Sequence, residues 1–403
     1  MACPCRNGAS WNTIANAPYH LRAIALPATQ ASPAKPVDRR ISWTDYLYSD
    51  AGPGLGAARA GFHHRGRLSG ATSRGRHVQT QDTSRAWDRL VIFAGRSIVP
   101  TAQAIAKQLG LELGDALVTQ FPDTESYVLL KENVRGADVF IIQSTSPPVN
   151  EHYMELLVMI DAVRRSSAAR ITVVMPYMGY ARQDRKAVGR EPITAKLVAD
   201  LITAAGADRV IVVDLHNSAI QGFFNIPLDH LTAIPVLAAE LRRLPLVDPV
   251  LVSPDVGRAK MVEKFQHILN LPLVLMHKRR KGLDVAVTEI VGDVADRTPV
   301  LIDDIIASGS VIRHVDALVE RGARPEVYMA ITHPVLVGDA IRRLGHPALK
   351  ALITTDTIRI PHAEEHPNIR VVSLAPMLAD VIRRIHLNLS VSEVFSRLED
   401  FAV

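Results

Sequence analysis

From Arg89 onward, short runs rich in Val and Ile alternate with stretches of helical periodicity, and this alternation constrains the fold more than any other feature. The runs are four to five residues long and are not interleaved with polar residues, as is typical of strands buried on both faces. A strand followed by a helix, repeated many times, favours parallel sheets covered by helices. We therefore predict an α/β fold.

The pattern predicts ten strands, which are too many for one small sheet, so we expect two similar domains. The strands are predicted at Leu90–Phe93, Val139–Gln143, Ile171–Val174, Arg209–Val213, Val250–Val252, Leu273–Met276, Val300–Ile302, Val327–Ile331, Leu352–Thr354 and Arg370–Ser373. The clearest helices are predicted at Thr101–Leu109, Tyr153–Arg164, Ile193–Ala204 and Ile312–Arg321. We place the boundary near Pro235, which gives an N-terminal α/β domain at 89–235 and a C-terminal α/β domain at 236–403.

Residues 1–88 differ from the rest because they are rich in Arg, Ser, Ala, Gly and Pro and lack sustained periodicity. Residues 1–85 contain 11 Lys or Arg and 4 Asp or Glu and so carry +7, whereas the remainder contains 35 and 37 and carries −2. We expect this basic segment to be disordered. Three origins stay open for it: an organelle transit peptide, a start site placed too far upstream, or a lineage-specific tail.

Composition excludes several classes of function for the chain beyond this segment. Its slight negative charge argues against a nucleic-acid partner. No apolar run approaches the length of a transmembrane helix, so we expect no membrane partner. Both cysteines, Cys3 and Cys5, lie in the basic segment, so no later thiol can serve as nucleophile, disulfide or metal ligand. We expect a cytoplasmic protein, with organelle import through the N-terminal segment left open.

Two predicted strands end in short acidic segments, and ligands of parallel sheets bind beyond the carboxyl ends of strands. Asp214 and His216 follow one strand and could hold a hydrated magnesium ion or a phosphate. Asp255 follows another strand, in a Pro-Asp-Val-Gly turn. Each segment also fits a purely structural role, as a satisfied strand-end carboxylate with a solvent-facing imidazole, or as ordinary turn chemistry.

The strand Val300–Ile302 leads into the most specific segment, in which the adjacent acids Asp303 and Asp304 precede a loop of small residues. Two neighbouring carboxylates are costly unless a cationic or hydroxyl-rich ligand binds them, and ribose hydroxyls suit them. The small residues open onto a predicted helix, whose N-terminal N–H groups could hold a phosphate. The segment therefore predicts a sugar-phosphate site.

Two further segments suit ATP chemistry but also fit exposed loops. The run HKRRKG at 277–282 follows a predicted strand and is either a solvated loop or a movable loop that brings cations over developing charge. The run YARQDRK at 180–186 could hold phosphate oxygens, a base or ribose through Arg182 and Gln183.

Together with several other stretches in order, these segments resemble the ribose-phosphate pyrophosphokinase family. The matching stretches between Leu90 and Phe395 include FIIQST at 140–145, MELL at 154–157, GYARQDRK at 179–186, REPITAK at 190–196, DLH at 214–216, IQGFF at 220–224, SPDVG at 253–257, KRR at 278–280 and IRRIH at 382–386. The resemblance implies two phosphoribosyltransferase-like domains, each a mostly parallel sheet flanked by helices. It also implies a magnesium-dependent transferase of nucleotide biosynthesis that moves pyrophosphate from ATP to the 1-hydroxyl of ribose 5-phosphate.

The resemblance further implies a role for each matching residue. Lys278 and Arg280 would stabilise the transition state from a mobile loop, and Mg²⁺ would be held by His216 and Asp255 with Asp214 close by. ATP would be bound by Phe121, Asp123, Glu125, Arg182, Gln183 and His216, the first three from a neighbouring subunit of a homo-hexamer or other homo-oligomer. Ribose 5-phosphate would be bound through its hydroxyls by Asp303 and Asp304, and through its phosphate by Ser308, Gly309 and Ser310.

The sugar-phosphate loop departs from the family's usual pattern of Asp-Asp, two apolar residues and Asp-Thr-Gly-Gly-Thr. Ala307 replaces the third Asp, Ser310 replaces a Gly, and Val311 replaces the final Thr, which removes one hydrogen bond to phosphate. Two other functions stay open. One is a catalytically weak regulatory subunit of the same family, and the other is a phosphoribosyltransferase, which shares the acid pair and the small-residue loop.

Removing residues 1–85 should leave the activity and the free energy of unfolding nearly unchanged, because the segment lacks the apolar periodicity needed to pack. The measurement compares steady-state rates and urea unfolding of the full and shortened chains. Loss of most activity, or failure of the shortened chain to fold, would show that the segment is part of the folded structure.

Overall fold

The strands of the computed structural model form two large sheets and one hairpin. The structure describes residues 89–281 and 284–394, with backbone alone at 278–281 and 284–288. The predicted disorder of residues 1–88 lies outside these residues. The strands are β1 (Leu90–Ala94), β2 (Ala116–Gln120), β3 (Ser126–Leu130), β4 (Asp138–Ile142), β5 (Arg170–Met175), β6 (Arg209–Val213), β7 (Leu228–Leu231), β8 (Pro249–Ser253), β9 (Leu273–Lys281), β10 (Asp284–Val291), β11 (Thr298–Ile306), β12 (Val327–Pro334), β13 (Leu349–Thr355) and β14 (Ile369–Val372).

Helices connect most of the strands. They are α1 (Val99–Gln108), α2 (Val149–Arg165), α3 (Thr194–Ala205), α4 (Ile234–Arg242), α5 (Ala259–Leu269), α6 (Ile312–Glu320), α7 (Ala340–Arg343) and α8 (Ala375–His386), with short 3₁₀ turns at Ser218–Phe223, Val256–Arg258 and Ala363–Glu365. No helix in the described ranges is long and apolar enough to cross a membrane.

The first sheet has five parallel strands in the order β1-β4-β5-β6-β7. Its inner strands are continuous apolar runs because both of their faces are covered. On one face, Val139 and Ile141 of β4 pack with residues of α2 and α3 such as Leu156. On the other face, Phe140 packs with α1, α4 and α8 in a core that also contains Val300 of β11. The two sheets therefore share one hydrophobic core.

The second sheet has the order β10-β9-β8-β11-β12-β13-β14, and its neighbours are parallel except for β10, which is antiparallel to β9. The chain moves outward from β8 to β9 and β10, then returns to the opposite side of β8 at β11. Such a reversal opens a crevice at the carboxyl ends of the two strands, where ligands of open α/β sheets bind. The predicted site segments around Asp255 and Asp303 belong to these two strands.

Strand β11 continues past the acid pair, which the sequence pattern had placed beyond the strand's end. Its pairing with β8 stops at Leu301, whereas its pairing with β12 continues to Ile306. Asp303 and Asp304 therefore sit on a strand that is supported on one side and open on the other. This open side is the edge of the crevice.

The last helix returns to the first sheet, where it packs against α1. His386 Nδ1 of α8 lies 2.8 Å from the buried carboxylate of Asp138 in β4, and Arg170 of β5 donates to the carbonyl of Ile385 over 3.1 Å. Pro235 lies in the first turn of α4, which packs into the shared core. The domain boundary near Pro235 stays a prediction.

All ten predicted strands and all four predicted helices are confirmed, and all but the strand Arg209–Val213 have shifted ends. Strands β2, β3, β7 and β10 were not predicted. The first two form an antiparallel hairpin with largely half-buried side chains, although β3 contains the apolar run YVLL at 127–130. Strand β7 is a short edge strand. The patterns that reveal buried central strands are weak at such edges.

The interpretation of residues 277–282 as a loop is wrong for most of that segment. Strand β9 continues through Lys281 and pairs antiparallel with β10, so the backbone of Lys278 and Arg280 is extended and hydrogen-bonded. A run of cations does not predict a strand from its own composition, because the pairing with β10 supplies the stabilisation.

Candidate active site between the two sheets

The acid pair of β11 forms the centre of the candidate site. Asp303 Oδ1 accepts from the backbone N–H of Asp304 over 2.9 Å, and Asp304 Oδ2 lies 2.8 Å from Nδ1 of His216, which follows β6. The Arg258 guanidinium lies between the acids, with Nε 3.2 Å from Asp303 Oδ1 and a terminal nitrogen 3.2 Å from Asp304 Oδ1. A cation and an imidazole thus face two adjacent carboxyls.

The two carboxyls are electrostatically unlike. Burial and the charge of Asp304 raise the pKa of Asp303 well above its ordinary value. Burial also opposes ionisation of Asp304, but the hydrogen bond from His216 and the charge of Arg258 outweigh it and lower the pKa of Asp304 to about 2. Asp304 therefore ionises readily, whereas ionisation of Asp303 is opposed. This is expected for two close carboxyls without a bound cation or hydroxyl donors.

One oxygen of the pair lacks a hydrogen-bond donor. Asp304 Oδ1 is buried and receives no aligned hydrogen bond from the described residues. The nitrogen of Arg258 at 3.2 Å is close enough for charge attraction but is not aligned as a hydrogen bond. A buried carboxylate oxygen in this state is costly without a ligand, so the geometry favours binding of a cation or a hydroxyl at this point.

The turn that carries His216 is clamped by the second sheet. Asp214 has a φ of 38°, which is strained for a residue other than glycine. Its Oδ2 accepts from Thr332 Oγ1 over 2.7 Å and from the N–H of Ala233 over 3.0 Å, and its carbonyl lies 3.1 Å from His333 Nε2. Because burial lowers the pKa of His333, the neutral ring can donate to this carbonyl. In the structure, Asp214 therefore fixes the turn that carries His216.

Asp255 positions Arg258. Its Oδ1 accepts from the N–H of Arg258 over 3.1 Å and so caps the 3₁₀ turn at Val256–Arg258. Arg258 also donates to the carbonyl of His216 over 3.1 Å. Its other terminal nitrogen lies 2.8 and 3.2 Å from the two ring nitrogens of His216. This nitrogen therefore packs against the ring and does not form a directed hydrogen bond with a single ring nitrogen. Asp255 and His216, which the sequence suggested separately, are joined through Arg258.

The loop after β11 offers unused N–H groups. The N–H groups of residues 308–311 donate to no backbone carbonyl of the described residues. Gly309 has a φ of 70°, and a side chain there would also meet Ala340 Cα at 3.1 Å. Ser308 and Ser310 are exposed beside it. Successive free N–H groups at the start of α6 are suited to binding a phosphate.

A cleft of about 250 Å³ lies at the carboxyl end of β5. It is lined by Val149, Asn150, Tyr177, Tyr180, Arg182 and Gln183. Tyr177 and Arg182 also line a cavity of about 10 Å³ together with His216 and Asp304. The loop of the cleft is joined to the His216 loop by a 2.6 Å hydrogen bond from Asn217 to Asp184. The cleft therefore adjoins the acid pair.

Family models match both halves of the described chain. The model of the N-terminal domain of ribose phosphate pyrophosphokinase matches residues 90–206, and that of the phosphoribosyl synthetase-associated domain matches residues 252–396. The ribose-phosphate pyrophosphokinase of Clostridium tetani is 50% identical over 311 residues, which cover 76% of this chain and 97% of that protein. The enzyme of the same name from Bacillus subtilis is 47% identical over 309 residues, with the same two shares.

The chain belongs to the ribose-phosphate pyrophosphokinase family. A crystal structure of phosphoribosylpyrophosphate synthetase from Mycobacterium smegmatis superposes with a TM-score of 0.70 and 41% sequence identity, covering 74% of this chain and 99% of that one. This likeness confirms the predicted fold class, with mostly parallel sheets flanked by helices.

The residues that the family resemblance assigns to the adenine of ATP lie apart from this cluster. Phe121, Asp123 and Glu125 are exposed at the tip of the β2–β3 hairpin. The ring centroids of Phe121 and Tyr127 lie 5.0 Å apart, and hydrogen bonds at the tip join Phe121 to Thr124 and Glu125, and Asp123 to Glu125. The tip is thus exposed and partly apolar.

Sequence reasoning missed Arg258, Thr332 and His333 as members of the site. Thr332 and His333 follow the apolar part of β12, so the signal that found Asp214 and Asp303 was present there too. Arg258 directly follows the SPDVG stretch at 253–257, but a cation three residues after a capping Asp is ordinary in a turn. Only its contacts across the crevice distinguish it.

Asp303→Asn should stabilise the fold at neutral pH by about 0.5–2 kcal/mol, the usual gain of a stabilising substitution. A carboxyl whose pKa is raised by folding destabilises the native state increasingly as pH rises above its unfolded value, near 4. The gain should therefore vanish below about pH 4 and grow above it. The measurement is the free energy of unfolding in urea, compared between the variant and the unaltered protein from about pH 4 to neutral pH.

The matched control is Asp339→Asn, because Asp339 is exposed and the Arg342 side chain lowers its pKa. This variant should gain no stability as pH rises. If Asp303→Asn loses stability at neutral pH, or gains the same amount at every pH, the raised pKa of Asp303 is wrong.

Proposed function

We propose that the protein transfers the pyrophosphate group of ATP to the 1-hydroxyl of ribose 5-phosphate, giving phosphoribosyl pyrophosphate and AMP. The observation that carries the proposal is the acid pair, which has an unsatisfied buried oxygen and lies between two complementary features. On one side are the free N–H groups of residues 308–311, and on the other is the Arg182 cleft. Membership of the family supports the same reaction.

The sugar phosphate binds along β11 and the loop that follows it. The ribose hydroxyls donate to lone pairs of the Asp303 and Asp304 carboxyls that the protein's own donors leave free. The phosphate accepts from the N–H groups at 308–311 and from the hydroxyls of Ser308 and Ser310, with Gly309 permitting a close approach. The ribose and phosphate contacts thus lie in chain order on one strand–loop–helix unit.

ATP binds across the cleft. Arg182 and Gln183 hold phosphate oxygens or the nucleoside, and His216 completes the contact from β6. Phe121, Asp123 and Glu125 of a neighbouring subunit hold adenine, so the protein acts as a homo-oligomer, with a hexamer expected from the family. We place it in the cytoplasm.

The residues present suit a magnesium ion. No group of three His, Cys, Asp or Glu in the described ranges could hold a metal unaided. Magnesium, however, is usually held by one or two carboxylates together with waters and substrate phosphates, and the unsatisfied oxygen of Asp304 is a suitable carboxylate ligand. His216, Asp255 and Asp214 were expected to supply the ligands. When bound, the ion neutralises charge on the transferring phosphoryl group.

The chain's own residues supply positioning and charge. The acid pair orients the ribose so that its 1-hydroxyl oxygen attacks the β-phosphorus of ATP, and the bond from that phosphorus to the AMP oxygen breaks. The hydroxyl proton passes to solvent. Lys278 and Arg280 stabilise the negative charge that develops on the transferring group. No protein nucleophile is needed, because alignment and charge account for this class of reaction.

The direct test incubates the protein with ATP, ribose 5-phosphate and Mg²⁺ and identifies the nucleotide product by chromatography. AMP formed in equal amount to phosphoribosyl pyrophosphate supports the proposal. No turnover would favour a regulatory subunit. A protein that is silent here but couples phosphoribosyl pyrophosphate to a free base would be a phosphoribosyltransferase.

Lys278→Ala and Arg280→Ala should each lower kcat with little change in the KM for ATP, because their charge acts on the transition state. Each substitution should raise the activation free energy by about 3–4 kcal/mol, the cost of removing one preorganised donor. Arg279→Ala is the control, because this neighbour has no assigned role. A large rise in KM at unchanged kcat would make these residues ground-state binders instead.

Val311→Thr should tighten ribose 5-phosphate binding and leave the KM for ATP nearly unchanged. Val311 stands at the start of α6, beside the proposed phosphate position, and cannot donate a side-chain hydrogen bond. One such bond to a charged group is worth about 1.5–3 kcal/mol. Steady-state kinetics with each substrate varied in turn measure both constants.

The control is Val371→Thr, because Val371 is exposed on β14 at the far edge of the second sheet. It should change neither constant. A shift in the ATP constant of Val311→Thr, or weaker binding of the sugar phosphate, would mean that this loop does not hold the phosphate.

A further inference from the structure

We propose that the Arg258 guanidinium is an internal counter-ion that occupies the cation position of the acid pair until a divalent metal displaces it. This inference rests on the proposed function, because it concerns the metal that accompanies ATP. It assigns to Arg258 a positioning role that neither its turn nor its sequence context reveals.

The contacts of Arg258 resemble those of a bound cation more than those of a structural arginine. Its side chain is only 17% exposed, and its nitrogens lie 3.2 Å from one carboxylate oxygen of Asp303 and 3.2 Å from one of Asp304. A structural arginine commonly forms a bidentate pair with both oxygens of a single carboxylate. Here the guanidinium instead bridges two carboxyls, taking one oxygen from each.

One of these two oxygens, Asp304 Oδ1, is also a suitable ligand for a metal. Asp304 Oδ1 is buried and lacks an aligned donor, so the guanidinium neutralises it without satisfying it. A divalent cation requires direct contact with carboxylate oxygens at short distance. It cannot share these oxygens with a guanidinium at 3.2 Å, because both the space and the positive charges conflict. Metal binding therefore requires Arg258 to withdraw.

Neutral hydroxyls make no such demand. A ribose hydroxyl can donate to a remaining lone pair of Asp303 or Asp304 while Arg258 stays in place, because a carboxylate oxygen accepts more than one hydrogen bond. Displacement of Arg258 is thus specific to the metal. Sugar phosphate alone leaves the acid pair neutralised by the protein's own cation.

The position of Arg258 permits this withdrawal. It ends the 3₁₀ turn that follows β8, on the open side of the crevice, and Val256 and Gly257 of that turn are exposed. Its backbone is held by the cap from Asp255, so the side chain can move without loss of the turn. The cost of withdrawal is the loss of its contacts with the acids and with the carbonyl and ring of His216.

The test is calorimetric titration of the full chain with Mn²⁺ alone, as a stand-in for Mg²⁺, without substrates or turnover. Arg258→Gln should bind Mn²⁺ roughly tenfold more tightly than the unaltered protein, which corresponds to about 1.4 kcal/mol. Arg258→Lys should fall between them, because an ammonium cannot bridge two carboxyls as a guanidinium does. Arg165→Gln, which removes an exposed arginine of α2, should change nothing.

Two further measurements test whether the gain in Mn²⁺ affinity arises at the acid pair. Adding Asp304→Asn to Arg258→Gln should abolish the gain, because the displaced oxygen is gone. In EDTA, ribose 5-phosphate should bind Arg258→Gln within about twofold of the unaltered protein, too small a change for loss of a charged contact to the sugar phosphate. The Lys variant serves if the Gln variant does not fold, because it keeps the positive charge.

Unchanged or weaker Mn²⁺ binding by the variants that fold would overturn the proposal. So would a large loss of ribose 5-phosphate affinity in EDTA, which would make Arg258 a substrate-binding residue. The AMP assay of the unaltered protein is independent of these titrations. AMP formation without tighter Mn²⁺ binding rejects only the role of Arg258, whereas absence of AMP rejects the proposed function itself.

Discussion

The structure of the candidate site depends on how two adjacent buried carboxyls are kept together. Asp303 and Asp304 repel one another, and burial raises the cost of ionising both. Two groups from other segments stabilise the carboxyls: the His216 ring, which follows β6, and the Arg258 guanidinium, which follows β8. His216 follows a strand of the first sheet and Arg258 follows a strand of the second. The carboxyl ends of both sheets therefore meet at the acid pair.

This dependence explains why the turn after β6 is held so firmly. His216 can face Asp304 only if the strained turn at Asp214 keeps its shape, and that turn is fixed by hydrogen bonds from Thr332 and His333 on β12. The second sheet therefore positions a residue of the first. The shared core of the two sheets provides the rigid support that such a site needs.

Much of this could be predicted from sequence. Continuous apolar runs located the central strands, and acids at strand ends located Asp214, Asp255 and the pair at 303–304. The hairpin β2–β3 and the edge strand β7 were not predicted, and their side chains are mostly half-buried. Arg258 could not be recognised, because its role arises from contacts with residues more than forty positions away along the chain. The strand at 277–281 depended in the same way on a partner strand.

The most direct measurement of this account is a crystal structure of the protein with ribose 5-phosphate and a non-hydrolysable ATP analogue bound. The account predicts ribose hydroxyls within hydrogen-bond distance of Asp303 and Asp304, the 5-phosphate on the N–H groups of residues 308–311, and the ATP analogue in the cleft beside Arg182. A sugar phosphate bound in that cleft, or an acid pair without contact to the ribose, would contradict it.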